Sequence, residues 1–170
     1  MGADGGYLPS RQELVTKPKQ NKAVKLAAIG YCRISGKPLR MDQVVCDFYG
    51  LLYNKQAVIE YLLAKTKSIP QIQSLKDLVN LKPTIKDGRW VCPLSSYDIV
   101  DEFNSAKFGV GLCGHVLQAQ LFASSRCPLC DRNSENIIVL EASGDELGQQ
   151  KKWLRRLRKQ RALLKSKLIK

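Results

Sequence analysis

Leu112–Cys130, LCGHVLQAQLFASSRCPLC, decides how the rest of the chain is read. It supplies Cys113-x-His115 and, after eleven intervening residues, Cys127-x-x-Cys130. Three thiolates and one imidazole make the Cys₃His donor set of a closed structural zinc site. A Cys-x-x-Cys turn offers two donors from one knuckle, and the Cys-x-His pair closes a loop onto them. His115 is the single histidine among 170 residues, and it falls inside the one stretch with metal spacing. The alternative is a set of buried thiols with a satisfied core histidine. Three thiols and an imidazole at these spacings favour one structural Zn²⁺.

Outward from this stretch, residues 91–141 resemble residues 29–64. WVCPLSS at 90–96 parallels YCRISGK at 31–37, and VGLCGHVLQAQLF at 110–122 parallels VVCDFYGLLYNKQAVIEYL at 44–62. Two weakly similar units of this size indicate an internal duplication. The first unit holds only Cys32 and Cys46 and no histidine, so it cannot complete a four-ligand site; both are expected as core thiols. Within it, Val44-Val45-Cys46 reads as a short strand ended by Gly50, and Asn54 is a good N-cap. Ala57, Val58, Tyr61 and Leu62 then recur at helical spacing. Residues 65–90 read as a connector, with a turn at Pro70, an apolar run through Ile72, Leu75, Leu78 and Leu81, a stop at Pro83, and a hairpin-type turn at Lys86-Asp87-Gly88.

The ends differ from the middle. Residues 1–28 carry Gly2, Gly5, Gly6, Pro9 and Pro18, a net charge of +3 and little to bury, and read as an extended arm that orders against something else. Residues 143–170 read as a helix of about 40 Å. Ser143 with Glu146 forms a capping box, and Leu147, Leu154, Leu157, Leu164 and Leu168 form one stripe with Trp153 and Leu163 beside it. Ten Lys and Arg against two acids give this segment +8. A helix this basic with a narrow apolar stripe docks on a partner or lies along nucleic acid; a solvated, frayed terminal helix is the bland alternative. Lys151, Lys152, Arg155, Arg156, Arg158, Lys159 and Arg161 are candidates for phosphate contacts. Trp153 is a candidate for stacking on a base or packing on a protein surface.

Composition narrows the class. The chain is 44% hydrophobic and 25% charged, with six cysteines and a net charge of +13. That surplus suits a polyanion or ribonucleoprotein partner through counterion release, although solubility alone would also account for it. The N-terminus has no apolar signal region, so reduced cysteines in an intracellular compartment are expected. No apolar run nears the ~20 residues that span a bilayer, and no membrane role is expected. There is no phosphate-binding Gly-rich loop and no free histidine for acid–base work. A zinc with four protein ligands has no open position for water. No small-molecule substrate is indicated.

MGADGG-x-LPSR-x-ELV at the start, LLYNKQAVIEYLL, SLKDLVNL and the CPLS…CGHV…CPLC unit together resemble the replication termination factor 2 family of eukaryotic nuclear proteins. The likeness covers nearly all of residues 1–141; the basic tail is generic. It implies an α+β fold of two tandem RING/U-box-like ββα modules, the first (29–64) metal-free and the second (91–141) holding zinc through Cys113, His115, Cys127 and Cys130. A RING cross-brace has two sites, but Ser95 stands where a Cys-x-x-Cys from Cys92 would end, so one zinc is expected and Cys92 is left as a structural thiol. The resemblance also implies a nuclear, non-catalytic adaptor or scaffold, in a spliceosomal assembly for pre-mRNA splicing or at replication termination and stalled forks. Its partners would be protein subunits and RNA or DNA phosphates. The alternatives are a RING-type ubiquitin or SUMO ligase, with Leu94 and Pro128 where two residues of a conjugating-enzyme groove would stand, or direct nucleic-acid binding through the basic helix. Fold alone does not make a ligase, and Asp131 occupies the place of the usual basic residue after the last ligand.

Overall fold

The computed structural model describes residues 29–65, 68–103, 105–122, 126–134 and 136–168. The arm expected over 1–28 lies outside them. Among the described residues, eight short strands and two helices follow in order: β1 (Val44–Asp47), β2 (Leu52–Asn54), α1 (Lys55–Leu63), β3 (Leu78–Asn80), β4 (Thr84–Lys86), β5 (Arg89–Val91), β6 (Phe108–Val110), β7 (Val116–Gln118), β8 (Ile138–Val139) and α2 (Gly144–Leu168). Single 3₁₀ turns lie at Leu75–Asp77 and Ala119–Phe122. The protein is therefore mixed α/β with small sheets.

β1 is buried along its whole length and forms the centre of an antiparallel sheet ordered β2-β1-β3. Its neighbour β3 comes from the stretch read as a connector, which also supplies the β4–β5 hairpin. Asp87 and Gly88 both have positive φ in that hairpin's two-residue turn, as its sequence suggested. α1 starts after Asn54 and buries Ala57, Val58 and Tyr61 on the sheet. Asn54 occupies the N-cap, but its side chain accepts the Arg40 N–H (2.8 Å) and donates to the Pro38 carbonyl (3.0 Å). It therefore ties down the preceding turn rather than the helix.

The second sheet, β7-β6-β8, repeats the first in register. Val44 faces Asn54 as Phe108 faces Gln118, and Cys46 faces Val79 as Val110 faces Ile138. The loop bonds recur too. Asp47 N–H donates to Leu51 as Gly111 does to His115, and Leu81 N–H donates to Val44 as Leu140 does to Phe108. One element differs: the α1 equivalent after β7 shrinks to the 3₁₀ turn Ala119–Phe122. Eleven residues must leave His115 and return to Cys127 beside it, and β7 uses three of them. Too few remain for a stable helix.

The two halves meet reciprocally. Glu141 N–H donates to the Gly50 carbonyl (3.1 Å), and Lys82 N–H donates to the Gly114 carbonyl (2.8 Å). Gly50 (φ +81°) lies so close to β8 that a Cβ would sit 2.1 Å from the Val139 oxygen. Gly114 (φ +92°) lies as close to β3, where a Cβ would sit 2.2 Å from the Asn80 oxygen. When equivalent residues exchange equivalent contacts, the relation is a two-fold one. Arg33 pairs with Glu141 at 2.7 Å across the same seam. The buried residues form one continuous core, from Ile29 and Tyr53 through Trp90 to Phe108, Ile138 and Leu154.

α2 straps both halves. On the second, Glu146 pairs with Lys107 and Gln150 Nε2 donates to the Val139 carbonyl (3.1 Å). On the first, Trp153 meets Phe48 edge-on at 5.0 Å, and Arg158 and Arg161 reach Asp77 at 3.0 and 2.9 Å. Leu154 is buried and Leu157 packs on the core. The apolar stripe expected to meet a partner is thus occupied as far as Leu157 by the chain itself. Leu163 and Leu164 remain 62% exposed, and the Leu168 side chain lies outside the described ones. No described helix is long and apolar enough to cross a membrane.

Candidate metal centre and basic helix

Cys113 and His115 sit on the β6–β7 loop. Gly114 N–H donates to the Gly111 carbonyl (2.9 Å) and Gly111 N–H to the His115 carbonyl (3.2 Å), so the loop is drawn into a tight hairpin. A Cβ on Gly111 would meet the Cys113 sulfur at 3.0 Å and the Ser134 hydroxyl at 3.1 Å, so glycine there makes room for the thiol. Cys127 and Cys130 come from a knuckle in which Asp131 N–H donates to the Cys127 carbonyl (2.8 Å) and Cys127 N–H donates to the Arg132 carbonyl (2.9 Å). Asp131 closes that knuckle with φ +54°, its carboxylate 2.7 Å from Arg126.

These elements bring the four expected donors together. The three sulfurs and one imidazole nitrogen lie within 4.8 Å of one another, with Cys127 Sγ 3.4 Å from His115 Nδ1. Metal–ligand bonds of about 2.0–2.3 Å in a tetrahedron put neighbouring donors roughly 3.5 Å apart, so this quartet needs only a slight contraction to close on a zinc ion. Burial, then the neighbouring Cys127 and Cys130 thiols, pushes Cys113 up to about 11. The Arg132 backbone N–H draws Cys130 down. Burial, then Lys82 and Arg132, lowers His115, which keeps a neutral imidazole with a free lone pair. Donor set and geometry both fit a structural zinc.

The knuckle occurs three times. Gly36 N–H donates to Cys32 and Ser96 N–H to Cys92, as Asp131 does to Cys127. Each knuckle is flanked by an isolated bridge, Tyr31 with Pro38, Val91 with Asp98, and Arg126 with Asn133. Each ends in a left-handed residue: Gly36, Ser96 or Asp131. In the first two, Ser35 and Ser95 stand where the third has Cys130. Burial pushes the Cys32 and Cys92 thiols up, but the serine hydroxyl and backbone N–H donors outweigh it and leave both lowered. The Asn54 N–H lies 3.3 Å from the Cys32 sulfur. The Ser35 N–H lies 3.5 Å from the same sulfur, and Cys92 and Cys46 are both buried.

Sequence reasoning missed Asp47, the first half's counterpart to Gly111. It is fully buried, and its carboxylate accepts the Tyr49 N–H (2.8 Å), the Leu51 N–H (2.9 Å) and the Tyr53 hydroxyl (2.9 Å). Tyr49 and Leu51 correspond to Cys113 and His115. A carboxylate therefore pins by hydrogen bonds the loop whose counterpart carries two of the candidate metal donors. The only signal was a lone acid ending an apolar strand.

The candidate basic residues divide. Arg158 and Arg161 are committed to Asp77, which is 2% exposed, and to the carbonyls of Gln71 and Lys76. Trp153 is spent on Phe48. Lys151, Lys152, Arg155, Arg156 and Lys159 are exposed and, at 100° per residue, fall within one arc of about 140° on the outer face. Lys151 also lies over the Tyr49 ring at 5.6 Å. Leu94 is half exposed and Pro128 exposed.

Compared with known proteins, residues 1–169 match the family described as Rtf2 RING-finger. The chain is 31% identical over 166 residues to splicing factor rtf2 of Schizosaccharomyces pombe, covering 86% of this chain and 68% of that protein. It is 29% identical over 195 residues to replication termination factor 2 of Rattus norvegicus, covering 93% and 63%. Against replication termination factor 2 of Homo sapiens it is 42% identical over 93 residues, 48% of this chain and 30% of that one. The chain thus spans about two thirds or less of the relatives' length. With the family matched almost end to end, the chain belongs to the Rtf2 RING-finger family.

Proposed function

We propose that the chain is a non-catalytic nuclear adaptor of a nucleic-acid-processing assembly, acting in pre-mRNA splicing or replication termination. The observation that carries this is the division of labour on α2. Its apolar stripe is spent inside the chain as far as Leu157, while five cations crowd the outer face and no acid occurs from Lys151 to the end. Such a face is held rigidly by both halves and suits phosphate contacts that are independent of base sequence. The two sheet units are RING/U-box-like modules. The second is closed by one structural zinc on Cys113, His115, Cys127 and Cys130; the first is closed by the Asp47 network instead. On this reading β3, which pairs with β1, counts with the first unit. The names of the yeast and rat relatives support the splicing and replication settings, and both settings support a nuclear location.

Affinity purification of tagged chain from nuclear extract, with and without RNase, tests this. Splicing proteins and small nuclear RNAs identify one setting, and RNase-resistant recovery of replication proteins the other; recovery of neither refutes the adaptor. Direct phosphate contact is read from salt dependence. Changing Lys152 and Lys159 to Glu should weaken RNA binding and lower the slope of log affinity on log salt by at least about 1. A second reading, a ubiquitin or SUMO ligase, draws on the exposure of Leu94 and Pro128. Autoubiquitination across a panel of conjugating enzymes, lost on Leu94→Ala, would establish it.

A further inference from the structure

Beyond Leu157, α2 and the 3₁₀ turn Leu75–Asp77 enclose a groove of about 520 Å³. Its lining includes Ser74, Lys76, Arg158, Arg161, Ala162 and Leu164, with Asp77 at its base. Asp77 is the only acid among these residues, and both its oxygens are taken. Oδ1 accepts from Arg161, and Oδ2 accepts from Arg158 and from the Gln73 N–H. The groove therefore keeps a surplus of positive charge. Arg158 also has a buried Nε–H with no hydrogen-bond partner.

The same end of the helix leaves apolar surface in water. Leu164 is exposed, as is Leu75 at the start of the facing turn. A phosphate backbone would use the cations and leave these leucines wet. The cations free for phosphates lie on a different arc of α2. A segment that places apolar side chains between carboxylates satisfies both features at once.

We propose that this groove docks an acidic amphipathic segment of a partner protein, its apolar side chains against Leu164 and Ala162 and its carboxylates against Lys76, drawn by the net positive charge that Arg158 and Arg161 leave around Asp77. The inference rests on the adaptor reading, to which it adds the kind of partner and the place where it sits.

The test uses the full chain and two fluorescent helical peptides. One has leucines at positions i, i+3, i+4 and i+7 flanked by glutamates; in the other, glutamine replaces every glutamate. Saturable binding of the glutamate peptide is expected, with at least about tenfold weaker binding of the glutamine peptide. Leu164→Glu and Lys76→Glu, both on the surface, should each weaken the glutamate peptide by a similar factor. Equal binding of both peptides, no saturable binding of either, or binding indifferent to both variants overturns the proposal. Poly(U) RNA that binds the chain and loses affinity on Leu164→Glu also overturns it, because the groove would then serve nucleic acid. A wild-type chain that recovers no nuclear assembly refutes the adaptor reading instead, and the peptides still decide the groove.

Discussion

Gly50→Ala tests the reciprocal seam most directly. Two costs add at this position. The φ of +81° puts an L-residue in the left-handed region, at about 1–2 kcal/mol. The new Cβ would also sit 2.1 Å from the Val139 oxygen and 3.0 Å from Leu140 Cα, both backbone atoms that no rotamer change can clear. The loop must back away from β8. That breaks the Glu141-to-Gly50 hydrogen bond, worth about 1 kcal/mol, and loosens the partly exposed Arg33–Glu141 pair, worth at most about 1 kcal/mol. The total is about 3 kcal/mol, a large share of the 5–15 kcal/mol typical of a domain. Gly36→Ala is the internal control. Its φ is +64°, but a Cβ there would meet nothing within 4 Å, so it should cost only the backbone term of about 1–2 kcal/mol. Urea unfolding of the zinc-loaded protein, followed by Trp fluorescence, reads both. If Gly50→Ala costs no more than Gly36→Ala, the close approach of the two halves is refuted.

Three further outcomes are expected. Cys127→Ser should take bound zinc, measured by mass spectrometry of the metal, from one per chain to near zero. Apparent metal binding in small zinc folds is worth about 10–16 kcal/mol, as much as a whole domain, so thermal unfolding should lose its main transition; retained zinc would refute the ligand set. Asp77→Asn removes the buried charge shared by Arg158 and Arg161. Because both guanidiniums are about a third exposed, the cost should be about 1–2 kcal/mol, seen as roughly tenfold faster amide exchange in the distal turns of α2. Unchanged exchange there would mean the clasp holds nothing. Burial raises the Asp47 carboxyl above its usual range, so the folded state holds that proton more tightly than the unfolded chain. Its contribution is therefore full below the ordinary carboxylate range and fades as pH rises through the raised value. The stability of wild type relative to Asp47→Asn should fall from about pH 4 to pH 7, and a rising difference would refute burial as the ruling cause.

What the sequence made legible were local patterns. The four candidate metal donors lie within eighteen consecutive residues at ligand spacing, and Asp87-Gly88 carries its turn conformation in its own residue types. α1 was readable because Ala57, Val58 and Tyr61 share a face. Less legible were β3 and β8, strands of three and two residues that show no alternation and exist by pairing with β1 and β6. The stripe on α2 was visible, but its cover was not, because Phe48, Val139 and Asp77 converge from three separate segments. Asn54 shows the limit of a local rule: the residue type suited a cap, and tertiary structure used its side chain elsewhere. Ser95 marked a knuckle that lacks a second ligand, yet that knuckle and its counterpart at Cys32 persist because backbone bonds, not ligands, make their shape.

The reciprocal contacts of Gly50 and Gly114 amount to a dimer interface written into one chain. Two separate subunits joined by such a seam would part on dilution, since each must find its mate. Here the mate is tethered at a fixed effective concentration, and docking is a first-order event. The joint is then as secure in a scarce protein as in an abundant one. Its two sides are also free to diverge, one gathering three thiols and an imidazole and the other a buried carboxylate, because neither has to recognise a copy of itself.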